Sequence, residues 1–177
     1  MKVVVAITGA SGVAYGARLI QVLKKQKIET KCVVSGAAKL IIKHEGGKIP
    51  GECYDEGDIE APLSSGSYRF DAVVVVPCSM KTLAAIANGY ASNLITRCAD
   101  VAIKEGRRLV VVPRETPLSS IHLENMLKLA KIGVVILPAM PAFYPKPEKI
   151  HDMVDFVVGK ILDSLDIKNE LYARWGK

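Results

Sequence analysis

The residues with chemistry to offer stand where apolar runs end. Val3-Val4-Val5-Ala6-Ile7 runs into Thr8-Gly9-Ala10-Ser11-Gly12, which opens a helical pattern. Glycines there let the backbone turn sharply, and amides at a helix start favour an anion such as phosphate. A second corner, Pro77-Cys78-Ser79-Met80-Lys81-Thr82, follows Ala72-Val73-Val74-Val75-Val76 and offers hydroxyls in place of glycines. A third, Pro113-Arg114-Glu115-Thr116-Pro117, follows the run from Leu109 to Val112. Its prolines stiffen the loop, and Arg114 presents a planar fork suited to phosphate. Strand ends of a parallel sheet gather on one edge, so Ser79 and Thr82 are expected near Ser11 and near Ser35, which closes a further strand from Lys31 to Val34.

The spacing narrows the ligand. Gly9, Gly12 and Gly16 do not make G-x-G-x-x-G, and no Gly-Lys-Ser/Thr follows. A dinucleotide site also wants an acid at the end of its second strand, where this chain has Ser35-Gly36. A mononucleotide fits better than NAD, and hydroxyls around one phosphate suit a polyol phosphate such as the ribityl chain of FMN. The same glycine corner also serves where helix and strand merely pack closely. Arg97 and Lys104 stand seven apart on a helix marked by Leu94, Cys98 and Val101, nearly aligned, and can address one anion or form a solvated face. Cys78 is placed in a loop just after a strand, where a thiol can meet a ligand. Cys32 and Cys98 read as small core residues. With Cys53 they are widely separated, with no C-x-x-C and no histidine at ligand spacing, so neither a disulfide framework nor a zinc site is expected. His122 has no triad partner and reads as structural; His44 and Glu45 read as a solvated helix end. Without an Asp-rich metal motif, a phosphate leaving group would be neutralised by Arg and Lys.

The elements that must position these groups alternate strand and helix. Helical spacing covers Val13 to Lys25, Ala37 to Lys43, the stretch with Leu83 to Ala87, the Leu94 helix, one through Leu123, Met126, Leu127 and Ala130, and a long one from Ile150 to Leu165 with Lys160 off its stripe. Ser119 or Ser120 caps the fifth of these. A fifth strand runs from Val134 to Leu137, and Pro138 to Pro147 is a stiff aromatic loop. Residues 46–69 lose periodicity and form an irregular loop region, with room for one short strand, that carries Ser64-Ser65-Gly66. Loops of that length usually carry function or move. The 166–177 tail holds the only tryptophan, Trp175. Five buried strands joined this way predict one domain over 1–177 with an α/β, doubly wound, mostly parallel sheet: three layers, helices on both faces, Rossmann- or flavodoxin-like. At 177 residues, half hydrophobic, the chain can bury a substantial core. Its net charge of +6 is dispersed, which disfavours nucleic acid and membrane surfaces and suits a local anion site. Every apolar run is shorter than a membrane span and the first ends in a glycine turn, so a cytoplasmic protein is expected.

Over nearly the whole chain, GASGVAYG, VVSGAA, PCSMKT, SNLITRCADVAIKE, VPRETPLSSIHLENMLKL, PAFYPKP and the closing ARWG closely resemble the UbiX-type flavin prenyltransferases. That resemblance implies transfer of a dimethylallyl group from its monophosphate to N5 and C6 of reduced FMN, without a metal, to give prenylated FMN for UbiD-type decarboxylases. It places FMN against Gly9, Ala10, Ser11, Ser35, Ser79, Met80, Lys81, Thr82 and Arg114. It places the prenyl phosphate against Arg97, Lys104, Tyr144 and Lys160, the last standing where many relatives have arginine. Glu45 and Glu115 match acids used near the phosphate or for proton transfer, and Ser11 a group that helps remove the flavin proton. Loss of phosphate leaves an allyl cation, which asks for a dry pocket and π faces, among them Tyr144 and Trp175. The resemblance further implies a homododecamer with the site between subunits, where Ser64-Ser65-Gly66 and Trp175 would make contacts; the segment before that loop shows no match. FMN-dependent cysteine decarboxylases are a rival, but they differ at Pro77 to Thr82 and at Pro113-Arg114-Glu115. A non-catalytic flavin carrier or decarboxylase partner is another, and would need no second cluster of cations.

Overall fold

The computed structural model describes residues 1–176; Lys177, the last residue of the predicted tail, lies outside them. Six strands form one parallel sheet in the order β3-β2-β1-β4-β5-β6: β1 (Lys2–Ile7), β2 (Glu29–Val34), β3 (Tyr54–Asp55), β4 (Ala72–Cys78), β5 (Arg108–Pro113) and β6 (Val135–Ile136). The helices are α1 (Val13–Lys25), α2 (Gly36–Glu45), α3 (Met80–Ala87), α4 (Leu94–Lys104), α5 (Ser120–Lys131) and α6 (Ile150–Ser164). Strand order reverses direction between β1 and β4, so their chain connections leave toward opposite sides and open a crevice at the carboxyl edge.

The apolar runs alternate faces although their composition does not show it. Val3, Val5, Ile7, Val74, Val76, Val110 and Val112 pack under α1, α2 and α6, whereas Val4, Ala6, Val73, Val75 and Val111 pack under α3, α4 and α5. Being covered on both sides is what lets every position be valine or its like. A half-buried ion pair also joins α1 to α6: Arg18 Nε donates to Asp155 Oδ1 at 2.6 Å and Nη2 to Oδ2 at 3.1 Å.

Several sequence expectations are corrected. The short strand for which 46–69 left room is β3, a two-residue edge strand that pairs with the end of β2 and makes the sheet six-stranded. β4 continues through Cys78, which is fully buried at a strand end rather than exposed in a loop. Burial pushes the Cys78 thiol up, so it is inert toward a ligand. Cys32 and Cys53 form a disulfide, their Cα atoms 4.5 Å apart, because β3 pairing draws the irregular segment back alongside β2. The buried stripe of α5 is rotated by one residue from the expected one. Leu129 is buried and Met126 half-buried, whereas Leu123, Leu127 and Ala130 face outward, since α5 covers only the margin of the sheet. At the start of α6, Ile150 is likewise exposed.

Gly16 marks the tightest helix-to-sheet approach. A Cβ there would lie 2.6 Å from the Val76 carbonyl oxygen and 2.9 Å from Ile7 Cδ1. Gly16→Ala should therefore lower stability by about 1–3 kcal/mol, read as a reduced midpoint at unchanged slope in urea unfolding.

Candidate functional site

The crevice is built by a single buried hydroxyl. Thr8, just past β1, donates its Oγ1 to the Pro77 carbonyl at 2.8 Å and accepts from the Ser79 amide at 2.8 Å. Its own amide donates to the Pro77 carbonyl at 3.2 Å. The first and second corners are thus fixed to each other. In the first, Gly9 lies so close to α2 that a Cβ would collide with that of Ala37, and Gly12 holds φ 99°, a left-handed conformation open to glycine. Ala10 is buried, and Ser11 is exposed at the mouth. Ser35 is buried and caps α2, accepting from Ala38 N at 3.0 Å. Ser79 caps α3, accepting from Thr82 N at 3.4 Å and donating to Thr82 Oγ1 at 3.1 Å. Met80 and Lys81 form the first turn of α3.

Glu45 is an exposed helix end, as read, but its carboxylate is engaged. It is the last residue of α2, and its carboxylate reaches across 33 residues of sequence to the start of α1. It accepts from Gly12 N at 2.8 and 3.1 Å and from Val13 N at 3.1 Å, where the helix dipole favours a negative charge. Partial burial opposes ionisation, but the hydrogen bond with Ser11, those from the two amides and the charge of Arg114 hold its carboxyl below the ordinary 4.5. Tyr15, one turn into α1, lies against Gly12 and feels both Arg114 and Glu45; burial raises its phenol while Arg114 pulls the other way. Ser11, Glu45, Tyr15 and Arg114 therefore share one small volume.

Arg114 Nε is buried and, alone among the buried side-chain nitrogens and oxygens of the described residues, has no hydrogen-bond partner. An unpaired guanidinium donor in a crevice fits an anionic or carbonyl-rich ligand such as FMN. Beside it opens a cavity of about 490 Å³ whose walls include Pro113, Glu115, Met126, Pro138 and Met140. Glu115 is exposed there and accepts from its neighbour's amide, Thr116 N, at 3.0 Å. Among the described residues, no group of three or more His, Cys, Asp or Glu is placed to hold a metal ion.

The other expected residues fall into two further patches. On α4, Arg97 donates Nε to the Ser64 carbonyl at 2.9 Å and pairs with Asp100 at 2.7 Å, and Lys104 pairs with Glu105. Arg107 donates to the Gly66 carbonyl at 2.6 Å, and the Ser65 and Ser67 hydroxyls bond at 2.7 Å. The serine loop is thus fastened along the cation helix. On the opposite face of the sheet, Tyr144 packs edge-on against Phe156, ring centres 5.9 Å apart, and against Trp175, 5.2 Å apart. Lys160 lies one turn beyond Phe156 and 4.0 Å from Asp163, which also binds Arg174 and Tyr172. The Tyr172 phenol is pushed up to about 12 by burial and by this bond to Asp163. Within one chain, then, Arg97 and Lys104 do not meet Tyr144 and Lys160.

Sequence reasoning passed over Thr8 and Tyr15. Both lie inside the first glycine corner and its helix start, and Tyr15 follows Ser11 by one helical turn, which is the signal available for it.

This fold and crevice define a flavoprotein, and the Flavoprotein family profile matches residues 1–162. The flavin prenyltransferase UbiX of Methanocaldococcus jannaschii is 54% identical over 183 residues, covering 99% of each chain. The crystal structure of AnUbiX (PadA1) in complex with FMN and dimethylallyl pyrophosphate superposes with a TM-score of 0.95 at 46% identity, over 99% of this chain and 97% of that one. A dodecameric FMN-dependent UbiX-like decarboxylase from Escherichia coli O157:H7 gives a TM-score of 0.96 at 45% identity over all of both chains. The chain belongs to the UbiX family of flavin prenyltransferases.

Glu45 supplies a pH test of this geometry. Its folded-state pKa is depressed, so the stability it adds is present above the unfolded value and is lost as pH falls through the folded one. Glu45→Gln should be less stable than the parent at about pH 6, and the difference should shrink toward zero by about pH 3 in urea titrations.

Proposed function

We propose that this chain transfers a dimethylallyl group from dimethylallyl monophosphate to N5 and C6 of reduced FMN, yielding prenylated FMN for UbiD-type decarboxylases. The observation that carries the reading is the buried, unpaired Arg114 Nε beside the Ser11–Glu45 pair, in a chain that also holds two separate cation patches. Bound reduced FMN supplies the electron-rich acceptor. Gly9, Ala10, Ser35, Ser79, Met80, Lys81 and Thr82 would line its seat, and Arg114 would hold it through the free Nε–H. Glu45, kept ionised on the start of α1 next to Ser11, would accept a proton through that hydroxyl. Glu115, which lines the adjoining cavity, would exchange a proton with the departing phosphate.

Tyr144 and Lys160 would take the prenyl phosphate, with Trp175 closing the aromatic wall. Arg97 and Lys104, fastened to Ser64-Ser65-Gly66, would serve a neighbouring subunit's site, which reconciles their distance from Tyr144 with a homododecamer. Cations in these places neutralise the leaving group, so the reading calls for no metal. All of 1–177 works as one flavoprotein domain, in the cytoplasm. Among the described residues, no helix is long and apolar enough to cross a membrane. A flavin carrier would leave the second and third patches without a task.

Anaerobic incubation with FMN, a reductant and dimethylallyl monophosphate, followed by mass spectrometry of the released flavin, decides the matter. The expected product is heavier by one prenyl unit and is lost with Arg114→Ala; unchanged FMN in flavin-loaded protein would support the carrier instead. Because Lys160 offers a point charge where a fork would grip phosphate at two points, Lys160→Arg should lower KM for the prenyl phosphate by about three- to tenfold, measured by initial rates.

A further inference from the structure

Glu56, in the two-residue step beyond β3, joins the end of β2 to the starts of α2 and α4. Its amide donates to the Val34 carbonyl at 3.2 Å and its carbonyl accepts from Leu94 N at 2.8 Å. Its side chain divides between two more donors: Oε1 accepts from Gly36 N and Oε2 from Asn93 Nδ2, both at 2.7 Å. Gly36 is the first residue of α2, directly after Ser35, and Asn93 is the N-cap of α4. The half-buried carboxylate therefore spans the end of β2, from the helix that ends in Glu45 on one face of the sheet to the helix that carries Arg97 on the other.

Two features make this a fixed bridge. The segment is anchored just upstream by the Cys32–Cys53 disulfide, and on either side of Glu56 by the Lys39–Asp55 ion pair and by the Asp58 carboxylate, which accepts from Asp55 N at 2.8 Å. Each carboxylate oxygen has a different short partner, so the plane of the group is set as well as its place. The α2 end of the bridge also lies at a helix start, where an anionic acceptor is favoured.

We propose that Glu56 is a positioning residue for the prenyl transfer: it sets the relative placement of the Ser35–Glu45 helix and the Arg97–Lys104 helix. The inference builds on the transferase reading above and acts only through hydrogen bonds to α2 and α4, with no contact to substrate. Truncation should loosen ligand binding more than turnover, because the reacting groups remain and only the placement of the two helices relaxes, one serving this chain's own site and the other a neighbour's. An amide side chain should substitute in part: Gln keeps an acceptor for Gly36 N but turns a donor toward Asn93 Nδ2, whose own oxygen is held by the α4 cap.

The test compares Glu56→Ala and Glu56→Gln with the parent by amide hydrogen exchange at Gly36 and Leu94, by FMN affinity, and by KM and kcat for dimethylallyl monophosphate. Glu56→Ala should speed exchange at Gly36 about tenfold and raise both the FMN Kd and the prenyl phosphate KM about fivefold, with kcat within about twofold. Glu56→Gln should return exchange at Gly36 to within about twofold of the parent and should give a Kd and KM between those of Glu56→Ala and the parent. Unchanged exchange in Glu56→Ala, faster exchange with unchanged Kd and KM, or a Gln variant as impaired as Ala would each overturn the proposal. If the parent fails to prenylate FMN, the transferase reading falls by itself, while exchange at Gly36 and FMN affinity still decide the role of Glu56.

Discussion

Everything in the crevice depends on one buried hydroxyl at the place where the sheet changes direction. At the carboxyl ends of β1 and β4 the two chains must part, leaving backbone groups that the ladder can no longer pair. Thr8 satisfies them by donating to the Pro77 carbonyl and accepting from the Ser79 amide. A valine of nearly equal volume would leave the half-buried Ser79 amide without its acceptor, a cost of about 1–3 kcal/mol, and the Pro77 carbonyl with the backbone amide of residue 8 alone. It would also release the two loops that carry Ser11 and Ser79 from each other. Close spacing of those loops is the precondition for one ligand touching both.

The second organising feature is electrostatic. Glu45 occupies the positive start of α1, and Arg114 approaches from the other side of the crevice, so the charges in that volume are already balanced in part. The groups lining that volume are ordered by contacts within the chain. The remaining cations are held differently: Arg97 and Lys104 by acids on their own helix, Lys160 by Asp163. These pairs are at least partly exposed, and such pairs contribute little to stability, so each cation can leave its carboxylate at small cost.

How much of this was legible depended on distance along the chain. The strands of the central sheet and all three corners declare themselves through short apolar runs followed by Gly, Ser, Pro and Arg, since each run and its corner are contiguous. β3 has two residues and no period, so the short strand allowed for in 46–69 could not be located or paired, and with it went the Cys32–Cys53 pairing, set by β3 lying beside β2. Glu45 looked bland because its partners are 33 residues away and are backbone amides, which leave no trace in residue identity. The stripe of α5 misled for a different reason. Leu123, Leu127 and Ala130 have the right spacing for burial, but the helix lies at the margin of the sheet and turns His122, Asn125, Met126 and Leu129 inward instead.

That misplaced stripe has its own consequence. Ile121, Leu123 and Leu127 leave a row of bare aliphatic side chains on one helix, with Met140 and Phe143 also uncovered on the loop after β6. Such surface orders water at no benefit to the isolated chain, so every encounter that covers it lowers the free energy. A chain standing alone keeps the whole of that apolar surface against water.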